Sequence, residues 1–213
     1  MKNKKFITVA IDSEASAGGG TQAKLISKHF NLYYLDTGKI YRYIALLKKK
    51  YPKEFSKKLI NNKIKNLKIS YLNNKNLLNE EIGFDASQIA KKLYIRKMVY
   101  KFQIKCAYSP PKKFNGSCLD GRDITTKIIP KAMFKFFITA NLNIRAKRRF
   151  VELKKMKKNT SLQEVLKSIK IRDKNDYNRK YSPLKRTKDQ VLINSSNLSK
   201  KACFLKIKKI MYK

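Results

Sequence analysis

Phe6-Ile-Thr-Val-Ala-Ile11, then Asp12-Ser-Glu-Ala-Ser-Ala-Gly-Gly-Gly-Thr21 and the segment running on to Phe30, decide the fold. The first stretch is a continuous apolar run, the pattern of a buried strand. The second is a loop with three consecutive glycines, Gly18, Gly19 and Gly20. From Thr21 to Phe30, Ala23, Leu25, Ile26 and Phe30 fall at helical spacing and can face a core. Leu32-Tyr-Tyr-Leu35 reads as a second strand, and Asp36-Thr37-Gly38 turns into a helix over about residues 39–50. Strand, glycine loop, helix and strand open a βαβ unit, so the chain is of α/β class with a parallel sheet.

A glycine-rich loop between a strand and a helix N-terminus cradles phosphate, because backbone N–H groups converge there and the helix dipole adds partial positive charge. The usual spacing is G-x-x-x-x-G-K-[ST]. Ser13-Glu14-Ala15-Ser16-Ala17-Gly18-Gly19-Gly20-Thr21 departs from it twice: Ser13 stands for the first glycine and Gly19 for the lysine. Thr21 stands where such a loop places a hydroxyl on Mg²⁺. By itself the stretch also fits a plain glycine turn ahead of a helix.

Downstream, residues 54–62 predict a helix, Ile69-Ser-Tyr-Leu72 a β-like segment, and Asn73-Asn-Lys-Asn76 a turn, together a small inserted α+β subdomain. Ala86–Ala107 reads as one long amphipathic helix ending before Pro110-Pro111. The α/β pattern resumes with strands at Ser117–Leu119 and Phe134–Ile138, helices near 143–157 and 161–172, a short strand at Val191–Ile193 and a closing helix from near Ser199.

The chain has 213 residues, 42% of them hydrophobic, with 52 Lys and Arg against 14 Asp and Glu, a net charge of +38. The apolar fraction supports a packed core. Arginine occurs at only nine positions: 42, 96, 122, 145, 148, 149, 172, 179 and 186. The remaining basic residues are lysines spread along the whole chain, a compositional drift that predicts nonspecific polyanion binding and no dedicated nucleic-acid partner. Against that background a retained arginine marks a place needing a rigid two-pronged donor. Cys106, Cys118 and Cys203 have no metal spacing and imply no disulfide framework. The basic start Lys2–Lys5 precedes an apolar run too short for a signal peptide, and no stretch approaches the roughly 20 apolar residues of a membrane span. A cytoplasmic monomer with no membrane partner is expected.

Four further blocks follow the loop: Asp36-Thr-Gly-Lys-Ile-Tyr41-Arg42, Ala86-Ser87-Gln-Ile-Ala90 with Arg96, Asp120-Gly-Arg-Asp-Ile-Thr-Thr126, and Ile169–Leu184 with Arg172, Asp176, Arg179 and Pro183. A late Ser195-Ser-Asn-Leu-Ser199 closes the series. In order and spacing, over essentially the whole chain, these blocks resemble the bacterial cytidylate kinases, a P-loop nucleoside monophosphate kinase family. The resemblance implies a three-layer α/β/α fold on a parallel five-stranded sheet. It implies a core (1–50, 115–170 and 184–213), a monophosphate-binding insertion of about 51–110 and a short helical lid of about 171–183. It further implies ATP-dependent phosphorylation of CMP or dCMP, with ATP and Mg²⁺ as donor and cofactor. Thr37, Tyr41, Arg42, Ser87, Arg96, Arg122 and Asp123 then correspond to the CMP site, and Arg172, Asp176 and Arg179 to lid and phosphate-bridging positions.

Phosphoryl transfer is chiefly positioning and charge stabilisation, which suits several guanidinium groups rather than a strong nucleophile. Asp123 can accept from the cytosine amino group, and Asp36 or Asp120, at strand ends, can hold Mg²⁺ through water. Arg145 and Arg149 read equally as surface charge or ATP contacts, Tyr41 as packing or site, and His29 as a surface residue. Besides Ser13 for the first loop glycine, four positions depart from the family pattern: Glu14 for Pro, Gly19 for the loop Lys, Thr125 for Gly and Asn175 for a frequent lid Arg. Lys24 and Lys174 are the candidate replacement cations. The alternative is a catalytically weakened or inactive relative with a nucleotide- or RNA-binding role.

Overall fold

The computed structural model describes residues 6–212; the basic start Lys2–Lys5 lies outside them. Five strands, β1 (Ile7–Ser13), β2 (Tyr33–Asp36), β3 (Gly116–Gly121), β4 (Phe134–Thr139) and β5 (Val191–Asn194), form one sheet in the order β2-β3-β1-β4-β5, every pairing parallel. β1 is central and buried from Thr8 to Ser13, with an apolar Val9–Ile11 middle, because helices cover both its faces. Its side chains alternate: Ala10 joins a cluster with Leu35, Ile40, Ile44 and Leu119, while Val9 and Ile11 meet Ala23, Ile26, Phe136 and Ile207 on the other face. The α/β/α sandwich expected from the resemblance is present, with α1 (Gly19–Phe30) and α8 (Lys200–Met211) on one face and α2 (Thr37–Lys50) and α5 (Leu93–Tyr108) on the other.

Parallel pairing brings all strand C-termini to one edge. Asp36 lies beside Asp120, Ser13 beside Ile138, and Thr139 beside Asn194. A doubly wound sheet offers its ligand crevice at this edge.

The inserted segment is helical throughout, not α+β. It runs through α3 (Lys57–Lys65), two 3₁₀ turns (Ile69–Asn73 and Lys75–Leu78) and α4 (Glu80–Ile89). Ile69–Leu72 forms no strand because asparagine side chains offer the backbone local partners: Asn74 Oδ1 accepts from Asn76 N and Asn79 Oδ1 from Glu81 N. The single helix expected over 86–107 is two, broken at Ala90–Lys92. The Arg96 side chain explains the break, since its Nε donates to the freed Ala90 carbonyl at 2.7 Å. Conversely, the helix expected over 161–172 continues to Asn178 as α7 (Leu162–Asn178), which starts with a Ser161–Glu164 capping box. The expected lid boundary therefore falls inside a continuous helix. The remaining α6 spans Leu142–Lys155.

Candidate phosphate and nucleotide site

The phosphate loop runs from Ser13, at the end of β1, into α1. Gly18 caps the helix at φ 98°, a left-handed conformation that glycine adopts without cost, and among the described residues no side chain caps the first-turn amides. Those amides are left for an anion. The loop is held from outside: Ser195 Oγ donates to the Ala17 carbonyl at 2.9 Å, and Arg145 Nη1 to the Ala15 carbonyl at 3.0 Å. Ala15 N–H donates to Asp173 Oδ1 at 3.2 Å, which lays α7 against the loop. Glu14 is not a free negative charge: its oxygens accept from Thr139 Oγ1 (2.5 Å) and the Tyr177 hydroxyl (2.9 Å), and Arg145 Nε stands 3.7 Å away. Arg145 is thus a buried organiser of the loop rather than a surface charge.

Two carboxylates meet beside the loop, Asp36 at the start of α2 and Asp120 at the end of β3. Burial, then the charge of Asp36, raises the Asp120 carboxyl well above its ordinary range; the Tyr34 hydroxyl, Arg122 and Lys24 pull it back. A divalent cation would relieve that repulsion, so the pair fits Mg²⁺ held through water. Among the described residues no cluster of three His, Cys, Asp or Glu provides an all-protein metal cage. Gly20 faces Asp120, a Cβ there falling 2.8 Å from Asp120 Oδ2, while Thr21 is exposed one residue further on. The third acid, Asp12, is structural. It is fully buried and accepts from the amides of Ile124 and Thr125, from Thr125 Oγ1 at 2.5 Å and from Gln190 Nε2. Thr125, a departure in the sequence pattern, thereby has a packing role.

Arginines fill the next shell. Arg122 Nε pairs with Asp176 Oδ2 at 2.7 Å, and Arg179 Nη1 reaches Asp176 Oδ1 at 3.4 Å. Burial works against both charges of the first pair. The pairing outweighs it, holding Arg122 above its ordinary value and Asp176, also near Arg172, below its own. Arg172 makes no ion pair among the described residues. Burial first, then the neighbouring charge of Arg122, lowers it to about 10, and Arg42 and Arg149 contribute. Burial also lowers Arg42, whose Nη1 donates to the carbonyls of Leu77 and Asn79 and so ties α2 to the insertion. Four guanidinium groups against the carboxylates of Asp176 and Asp123 leave an excess of positive charge, which suits a multiply charged anion.

A cavity of about 550 Å³ reaches this cluster at Arg172 and is bounded by Ala15 and Ser16 of the loop, Phe84 and Ser87 of α4, and Arg149. On the insertion side Arg96 Nη1 pairs with buried Asp123 Oδ2 at 2.8 Å and lies over the Tyr41 ring, 5.5 Å from its centroid. Asp123 also stands 3.9 Å from Arg179 Nη2, a buried nitrogen that makes no hydrogen bond among the described residues. Tyr41 packs in the core, and burial pushes its phenol up to about 12. Thr37 Oγ1 donates to the Asp120 carbonyl and Ser87 Oγ to the Phe84 carbonyl. We predict that Arg96→Met costs about 3–5 kcal/mol of stability in urea unfolding, because Asp123 is left buried and nearly unpaired. Arg96→Met/Asp123→Leu should recover most of that loss.

Sequence reading did not find Arg145, Asp173, Ser195 and Arg148 as loop supports. Arg148 holds the Ser195 carbonyl at 2.6 Å and so places the hydroxyl that grips Ala17. Their sequence signals are the retention of arginine at 145 and 148 and the place of Asp173 and Ser195 within the Ile169–Leu184 and Ser195–Ser199 blocks. A second cavity, about 620 Å³, opens at the ends of β4 and β5 between Thr139, Asn141, Asn143, Asn194, Ser196 and Asn197.

A phosphate loop, adjoining strand-end carboxylates and converging arginines on a five-stranded parallel sheet define a nucleotide-phosphate-binding α/β protein. A crystal structure of an uncharacterised protein from Eubacterium ventriosum shares the fold, with TM-score 0.55 and 17% identity over 97% of this chain and 99% of that one. A family model described as cytidylate kinase matches residues 9–212. Cytidylate kinases from Thermosipho melanesiensis (38% identical, 95% of each chain), Clostridium botulinum strain Loch Maree (39%, 91% of this chain and 92% of the relative) and Bartonella tribocorum (40%, 94% and 92%) are similar to it. The chain belongs to the cytidylate kinase family.

Proposed function

We propose that this protein transfers the γ-phosphoryl group of ATP to CMP and dCMP, giving the diphosphates, as a cytoplasmic monomer. The observation that carries the reading is the cavity between the loop and α4, lined by Arg149, Arg172 and Ser87, with Arg42 and Arg122 near Arg172 and with Arg179 linking Asp176 to the Arg96–Asp123 pair. Arg42 and Arg122 hold the acceptor phosphate, and Arg172 and Arg179 follow the charge of the transferred group. Asp123, oriented by Arg96, accepts from the cytosine amino group. Ser13 to Thr21 cradle the donor phosphates through backbone amides. The cavity at Thr139 and Asn194 takes the rest of the donor nucleotide. Bound Mg²⁺ neutralises donor phosphate charge, and Asp120 with Asp36 would hold it. The division into core, insertion of about 51–110 and lid of about 171–183 is part of this proposal. Among the described residues no helix is long and apolar enough to cross a membrane.

A substrate panel tests the assignment. With MgATP, kcat/KM for CMP should exceed that for UMP by at least about 100-fold, because uracil leaves the Asp123 acceptor unmatched. Equal use of UMP or preference for AMP would remove Asp123 from its role. One observation favours a second reading, a weakened kinase that binds CMP: Gly19 offers the donor phosphates no side chain. That reading predicts CMP binding with little ADP release.

A further inference from the structure

The two departures in the phosphate loop, Ser13 and Gly19, are in contact. Gly19 begins α1 outside the left-handed region, so its backbone conformation would accept any residue. Space forbids it: a Cβ on Gly19 would lie 2.3 Å from Ser13 Oγ, 2.7 Å from Ser13 Cβ and 3.6 Å from Ile11 Cγ2. Rotating the serine hydroxyl clears the first clash but not the second, because the Ser13 Cβ is fixed by a buried strand end paired with Ile138. Serine at 13 and any side chain at 19 are therefore mutually exclusive.

Closing position 19 leaves the donor phosphates in need of a cation. Gly20 faces Asp120, and Lys24, four residues on, lies on the same face of α1. Helical side chains tilt toward the N-terminus, and four residues rise about 6 Å, within reach of a lysine's four-carbon stem. The charge of Lys24 already acts on the Asp120 carboxyl. Lys174 is placed otherwise. It sits two residues from both Arg172 and Asp176, on the opposite, exposed side of α7.

We propose that Ser13 and Gly19 are a matched pair that closes the usual cation position of the loop, and that Lys24 supplies the charge from the next turn of α1. The proposal deepens the kinase reading and its second half rests on it.

Melting temperatures test the pair without any turnover. Alanine is the better helix former, so Gly19→Ala raises the melting temperature if position 19 has room. We expect it to fall by at least about 3 °C, and Ser13→Gly/Gly19→Ala to match or exceed Ser13→Gly. A rise in the single variant overturns the pairing. Lys24→Met should weaken both equilibrium ATP binding, titrated without acceptor, and kcat/KM for ATP, the latter about 100-fold. In Ser13→Gly/Gly19→Lys the same change should cost less than about 5-fold in each. Equal losses in both backgrounds, or no loss in the natural chain, overturn the role of Lys24. Absence of turnover with every monophosphate would instead defeat the kinase reading, leaving the melting and ATP-binding arms to decide this proposal.

Discussion

Arg172→Ala should lower CMP-dependent turnover by about 10³-fold while leaving the melting temperature unchanged or raised. An arginine that stabilises transferring phosphoryl charge is worth about 10³–10⁵ in rate. Among the described residues Arg172 makes no ion pair, and burial with the charges of Arg122, Arg42 and Arg149 outweighs the attraction of Asp176, so its charge is a liability until a phosphate arrives. Function and stability should therefore separate at this position. Arg172→Lys should recover under a tenth of the activity, because an ammonium cannot span two phosphate oxygens as a guanidinium does. Coupled ADP-release assays and calorimetry measure both. A large fall in melting temperature would make Arg172 a structural residue.

Asp120→Asn should trade activity for stability in the same manner. Burial, with the charge of Asp36, raises the Asp120 carboxyl in the folded chain well above its ordinary value. The folded state then binds a proton that the unfolded state, titrating near 3.9, has released. Stability accordingly falls as pH rises from the unfolded value through the folded one, and the full penalty stands above it. Asparagine carries no such penalty and can still accept from the Tyr34 hydroxyl. In chelator the variant should melt above the natural chain at pH 8, with the gap shrinking toward pH 4. Turnover should drop by about 10²-fold or more, as expected for a lost metal-positioning carboxylate. A variant that melts lower at pH 8 would contradict the account of the pair.

The sequence exposed those parts whose signal is local. β1, the glycine loop and α1 follow from an apolar run, three glycines and helical spacing. The arginines of the site stand out because lysine fills the ordinary basic positions. Two misreadings have local causes too: asparagine side chains turned Ile69–Leu72 away from a strand, and Arg96 broke the helix through 86–107 by taking the Ala90 carbonyl. What stayed hidden depends on residues far apart in the chain. Asp173 and Arg145 meet at Ala15, Arg148 and Ser195 steady Ala17, and Thr125 reaches Asp12. No spacing rule brings such positions together; only the parallel sheet does, by gathering the strand ends at one edge. The two odd residues of the loop were both visible in the sequence, but their mutual exclusion is a matter of a contact within 3 Å.

The most direct measurement is ADP release by the purified natural chain in MgATP, with and without CMP. The account predicts ADP formed in step with CDP, dependent on CMP, saturable, and lost in Arg122→Ala, which removes the guanidinium paired with Asp176. ATP hydrolysis indifferent to CMP, or no turnover from a folded chain that fails to bind CMP, would contradict it.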